Sequence, residues 1–115
     1  MGGMASARVV MDLPWNAGAL RLARDALREW GANPEAEVVL RELVTNALDH
    51  GAPPVSLIAE RRDKTFWIGV CDECRDWVHT DSDSVGLPLV EAFSTSWGVT
   101  PVKHHGKCVW ADVPT

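Results

Sequence analysis

An α+β fold is what this chain of 115 residues predicts: a two-layer sandwich with helices on one face of a mixed, mostly antiparallel sheet. Three observations carry the prediction. Two helix-periodic segments with clear start and stop signals fill the first half. Two β-branched and aromatic runs follow, separated by a charged turn. A short helical segment then precedes two last strand-like runs. The expected order is β-α-α-β-β-α-β-β in one domain spanning residues 1–115, without internal repeats.

Arg8 to Leu13 is a short β-branched run, an edge strand ended by Pro14. Residues 1–7 before it are expected to be a flexible N-terminus. Asn16 can cap a helix over Ala17 to Trp30, in which Leu20, Ala23, Leu27 and Trp30 recur at helical spacing and Gly31 closes the element. Asn33-Pro34-Glu35 is a strong second start. It combines a capping side chain, a proline where its missing N–H costs nothing, and an acid on the positive helix end. That helix should reach about His50 and stop at Gly51, since Pro53 and Pro54 forbid continuation.

Val55 to Glu60 and Thr65 to Asp72 read as a hairpin around Arg61-Arg62-Asp63-Lys64. From Glu73 to Ser84 the chain is polar, acidic and irregular. Gly86-Leu87-Pro88-Leu89-Val90 opens a third helix with Pro88 in its first turn. Ser96 to Thr100 and Cys108 to Val113 are the last strands, around Lys103-His104-His105-Gly106. Of the six tryptophans, most are expected in the core. Trp77, in the polar loop, is the exception.

Composition narrows the function classes. The apolar fraction is 46% and the charged fraction 23%, as in an ordinary globular protein. No apolar run approaches the roughly 20 residues of a membrane span. Met1-Gly2-Gly3-Met4 lacks the basic start of a secretion signal, so a cytoplasmic location is expected. A net charge of −5 argues against direct nucleic-acid binding, whose phosphates demand a basic face. Three cysteines do not suggest a disulfide framework.

One helix carries a polar stripe among apolar residues. Glu42 and Asn46 are one helical turn apart and Asp49 follows three positions on, while Leu40, Leu43, Val44, Ala47 and Leu48 fill the other side. A carboxylate and a carboxamide so spaced can hold a hydrated magnesium ion and activate a hydroxyl; a solvated helix face is the plainer reading. Cys71, Cys74 and Cys108 with His104 or His105 have the residue types of a zinc site, though not the spacing of a compact zinc module. Lys107 could reach a phosphate, or be a solvated turn lysine.

Glu42-Leu43-Val44-Thr45-Asn46-Ala47-Leu48-Asp49-His50-Gly51 resembles the N box of the GHKL ATPases, the histidine-kinase-like Bergerat fold. Val70-Cys71-Asp72 resembles the start of that family's G1 box, and Gly86-Leu87-Pro88-Leu89-Val90 the end of its G2 box. Ser96-Trp97-Gly98-Val99 and Gly106-Lys107-Cys108-Val109-Trp110 are similar to the last two strands of its small anti-sigma-factor, serine-kinase-like branch. The resemblance implies a regulator that binds ATP and magnesium, with a sigma factor or an anti-sigma-factor antagonist as partner. It implies that Asn46 holds magnesium and that Glu42 takes the proton of an attacking hydroxyl. Asp72 would accept from the adenine amino group, and backbone N–H groups at Gly86 and Leu87 would face phosphate. Asp49, Lys107 and Cys108 would border the nucleotide. Relatives of this shape also pair, which implies a possible homodimer.

The chain departs from the family in its loops. Asp72-Glu73-Cys74-Arg75-Asp76 lacks the glycines of the G1 box, and Ser84-Val85-Gly86 lacks the first glycine of the G2 box. The lid, residues 73–85, is short and acidic, and Cys108 stands where the branch usually has threonine. These changes keep an alternative open: a partner-binding regulator that has lost ATP binding.

Overall fold

The computed structural model describes residues 7–74, 87–102 and 106–115. Eight elements follow in the expected order: β1 (Ala7–Leu13), α1 (Gly18–Glu29), α2 (Pro34–His50), β2 (Val55–Arg61), β3 (Thr65–Asp72), α3 (Leu87–Phe93), β4 (Ser96–Pro101) and β5 (Lys107–Pro114). The expected N-terminus at 1–7, Trp77, most of the lid, Gly86, His104 and His105 lie wholly or largely outside the described residues.

The five strands form one sheet in the order β1-β2-β3-β5-β4, and every neighbouring pair is antiparallel. This corrects the expected mixed sheet, and the reason is topological. The chain leaves β3 through α3 and returns in β4, which runs parallel to β3. The β4–β5 hairpin then folds so that β5 lies between them. The parallel strands never touch, so each ladder keeps antiparallel hydrogen bonds.

Alternation along the strands selects the covered face. Val55, Leu57, Ala59, Phe66, Ile68, Val70, Val109, Ala111 and Val113 are buried against the helices. α2 supplies Ala36, Val39, Leu40, Leu43, Val44 and Ala47, all at most 2% exposed, and α1 supplies Ala19, Ala23 and Leu27. Burying one such Val or Leu is worth about 1.5–3 kcal/mol. Several on one helix outweigh any cap, so α2 is held chiefly by packing. No described helix is long and apolar enough to cross a membrane.

The tryptophans depart from expectation. None of the five described is in the fully buried core: Trp30 and Trp97 pack partly against it, and Trp15 is 43% exposed. Trp67 and Trp110 alternate out of phase with the core residues beside them, so they lie on the uncovered face. There their rings stack with centroids 6.2 Å apart, and Arg62 sits 5.7 Å over Trp67. Trp110 Nε1 donates to Thr100 Oγ1 at 3.0 Å. The rings of Trp67 and Trp110 thus lie over the open sheet instead of filling the interior.

The helix ends follow the capping chemistry with one shift. The α1 N-cap position is Ala17, while Asn16 one residue earlier accepts from Gly18 N at 2.7 Å. Gly31 closes the turn after α1 at φ +84°, a left-handed conformation that glycine adopts without a Cβ clash. Arg28 on α1 reaches Glu37 on α2 with two bonds, of 2.8 and 3.0 Å. The hydrogen bond from Arg28, aided by its charge, holds the Glu37 carboxyl below its ordinary range.

Asn33 does two jobs. Its Oδ1 accepts from Ala36 N at 2.9 Å, and its Nδ2 donates to the Pro114 carbonyl at 3.0 Å, tying the start of α2 to the end of β5. Asn33→Ala should therefore cost about 1–2 kcal/mol, the upper part of the usual N-cap range. Urea unfolding measures this; Asn33→Asp, which keeps the cap but not the Pro114 bond, should recover about half.

Candidate functional site

The polar residues converge where α2 ends against the facing ends of β3 and β5. Asp72 closes β3 and Lys107 opens β5, directly opposite in register. Both are 2% exposed. Lys107 Nζ donates to Asp72 Oδ2 at 2.8 Å and Oδ1 at 3.1 Å. Cys74 N also donates to Oδ1, at 2.8 Å, and Ala52 N approaches it at 3.4 Å. A carboxylate taken out of water needs this many donors, because desolvating an unpaired charge costs several kcal/mol. The reading of Lys107 as a solvated turn lysine is corrected: it is among the largest fully buried side chains.

Two glycines make room at this end, Gly51 for the Asp72 carboxylate and Gly106 for the main chain leaving β3. A Cβ at Gly51 would fall 2.6 Å from Asp72 Cγ and from the Ala47 carbonyl oxygen. One at Gly106 would overlap the Asp72 carbonyl oxygen and lie 2.5 Å from the Glu73 carbonyl carbon. Glu73 N donates to the Ala52 carbonyl at 2.9 Å, so the α2–β2 connection lies directly on the end of β3. The Gly51 stop is thus both a helix end and the seat of the Asp72 carboxylate.

The stripe on α2 divides by depth. Asn46 is 3% exposed, and its Oδ1 is buried with no hydrogen-bond donor among the described residues. Glu42, one turn earlier, is half-buried, with Oε2 3.4 Å from Arg41 Nε. Asp49 is exposed, so helical spacing aligned it with the other two but the last turn leaves it in solvent. Leu87, 1% exposed, begins α3 and packs in the core. Gly86 is outside the described residues.

Cys108 and Cys71 are joined by a disulfide, with Cα atoms 3.9 Å apart. They occupy the register position next to Asp72–Lys107 and, by alternation, point to the uncovered face. Sequence reasoning missed this bond because it requires knowing that β3 pairs with β5 in this register. It removes two sulfurs from the proposed zinc set, and among the described residues no group of three or more His, Cys, Asp or Glu could hold a metal ion. Cys74 keeps a free thiol. A cavity of about 320 Å³ opens beside the disulfide, with Asp12, Ser56, Asp72 and Glu73 also in its wall. It lies largely on the sheet face opposite α2, away from Glu42 and Asn46. A second groove, of about 180 Å³, runs between α1 and α2 and gathers Arg24, Arg28 and Arg41 around Glu37.

The fit of a nucleotide and magnesium to these residues is divided. The orphaned Asn46 oxygen is what a magnesium-ligand role requires. Asp72, by contrast, has both oxygens engaged by Lys107, so an adenine amino group would compete with a buried ammonium.

Because Gly106 faces main-chain atoms that cannot swing aside, Gly106→Ala should destabilise by about 3 kcal/mol, the top of the usual overpacking range. Gly51→Ala, opposed partly by a side chain, should cost about 1–2 kcal/mol. Chemical denaturation of both variants checks the order as well as the size. No protein-family model matches this chain, and no curated protein matches its sequence.

Proposed function

We propose that this chain is an anti-sigma-factor-like regulator with a histidine-kinase-like ATPase architecture, which binds ATP with magnesium at the outer face of α2. The observation that carries the reading is Asn46: a buried carboxamide oxygen without a donor among the described residues, one helical turn from the Glu42 carboxylate. Leaving such an oxygen unpaired costs about 1–3 kcal/mol, a cost that a ligand at this position would remove. The helix order and the all-antiparallel sheet are compatible with a two-layer α+β sandwich.

Bound ATP with magnesium would supply the transferable phosphoryl group. Asn46 would hold the metal through Oδ1, a hard oxygen of the kind magnesium prefers. Glu42 would accept the proton of a serine or threonine hydroxyl on an antagonist protein. Arg41 Nε lies 3.4 Å from Glu42 Oε2, on the solvent side of that carboxylate. The substrate protein is then an anti-sigma-factor antagonist, and the protein held in check is a sigma factor.

A second reading is favoured by a specific observation. Asp72 is engaged internally by Lys107, Cys74 and Ala52, so the residue that the first reading assigns to adenine already has partners on both oxygens. In that case the chain is a non-catalytic regulator that recognises its partner by surface alone. Arg24, Arg28 and Arg41 between α1 and α2 would then offer a basic groove, on an otherwise acidic chain, to an acidic partner segment.

The two readings separate in one titration. ATP with magnesium at 100 times its dissociation constant should raise stability by about 2.7 kcal/mol, and the melting temperature with it. Asn46→Ala should abolish magnesium-dependent ATP binding measured by calorimetry. Unchanged affinity in that variant would contradict the site, and no melting shift at millimolar ATP would favour the non-catalytic regulator.

A further inference from the structure

We propose that the Cys71–Cys108 disulfide is a thiol-exchange site through which the redox state of small thiols controls the β3–β5 end of the sheet. Three observations support it, independently of any nucleotide. Both cysteines are half-buried, not sealed in the core, and both line the 320 Å³ cavity. A small thiol can therefore approach the sulfurs without unfolding the chain. The bond also joins β3 to β5 one register step from Asp72–Lys107, across a sequence separation of 37. Finally, Asp72 receives the backbone N–H of Cys74, so the segment leaving the disulfide is tied to the same carboxylate.

The chemistry is ordinary thiol–disulfide exchange. A small-thiol thiolate enters the cavity and attacks one sulfur. The Cys71–Cys108 bond breaks, a mixed disulfide forms, and the other cysteine leaves as a thiolate that takes a proton from water. A second small thiolate attacks the mixed disulfide, releasing the oxidised small disulfide and the second cysteine. Two small thiols are oxidised and one protein disulfide is reduced. The oxidised small disulfide drives the reverse sequence. With the cross-link open, β3 and β5 are joined at this end only by backbone hydrogen bonds and by the Asp72–Lys107 pair, so this end opens more often.

The test equilibrates the whole chain, without denaturant, in glutathione buffers of graded reduced-to-oxidised ratio, followed by rapid alkylation and peptide mass mapping. Cys71 and Cys108 should convert together between disulfide and alkylated forms, taking the chain from one reactive thiol to three. Cys74 should be alkylated throughout, and Cys74→Ser should leave the conversion intact. Backbone hydrogen exchange at residues 71–74 and 106–109 should quicken at least tenfold in the reduced form, with residues 39–47 of α2 little changed. The Cys71→Ser/Cys108→Ser variant should exchange at the reduced rate at every ratio. The proposal is overturned if the disulfide forms at no ratio, if it opens only under denaturant, or if hydrogen exchange is the same in both forms.

Discussion

A buried ion pair sets the constraint on which one whole end of this molecule depends. Asp72 and Lys107 lie opposite each other on adjacent strands, 2.8 Å apart and almost fully out of solvent. Neither charge is tolerable there without the other. Their attraction must offset a desolvation penalty of several kcal/mol per ion, which requires good geometry and further donors. Those donors, the N–H groups of Cys74 and Ala52, come from segments that are also joined to each other by the Glu73 N–H to Ala52 carbonyl bond. The pair thus ends the β3–β5 ladder and ties together the path out of β3 and the α2–β2 connection. Glycine at 51 and 106 is a consequence, since main chain and carboxylate approach too closely for a Cβ.

The pair also shapes what the site can do. A carboxylate that spends both oxygens on an internal ammonium is a poorer acceptor for an outside ligand than one facing a pocket. Asn46 has the opposite character, a buried oxygen with no donor among the described residues. One part of the polar end is closed on itself, and the other holds a buried acceptor that no described residue satisfies. The disulfide lies on the reverse side of the same strand ends, one register step from the ion pair.

Much of the fold was legible because its signals are local. Asn33-Pro34 and Gly51 bound α2 with the residues expected, and the eight elements follow in the order that periodicity implies. What was not legible depends on pairing between distant segments. The insertion of β5 between β3 and β4 follows from no short stretch of sequence, and with it go the antiparallel sheet, the disulfide and the ion pair. Lys107 illustrates the difficulty: beside Gly106 it reads as a turn residue, and only its register partner makes it a buried one. A signal was present nonetheless, since Asp72 ends one apolar strand and Lys107 begins another, and charges at two such ends call for each other. The tryptophans misled for a related reason. Trp67 and Trp110 have apolar neighbours on both sides, so period-two alternation could not say which face they take.

The central claim is that Asp72 and Lys107 act as a unit, and a double-mutant cycle tests it most directly. Asp72→Asn and Lys107→Met, alone and combined, would be unfolded in urea. Each single change should cost about 3–5 kcal/mol, since it strands the opposite charge in the interior. The double variant should cost less than the sum of the two by at least about 2 kcal/mol, a coupling that only residues in direct contact show. Costs that add to within about 0.5 kcal/mol would mean that the two side chains are neighbours without being partners, and the account built on them would fail.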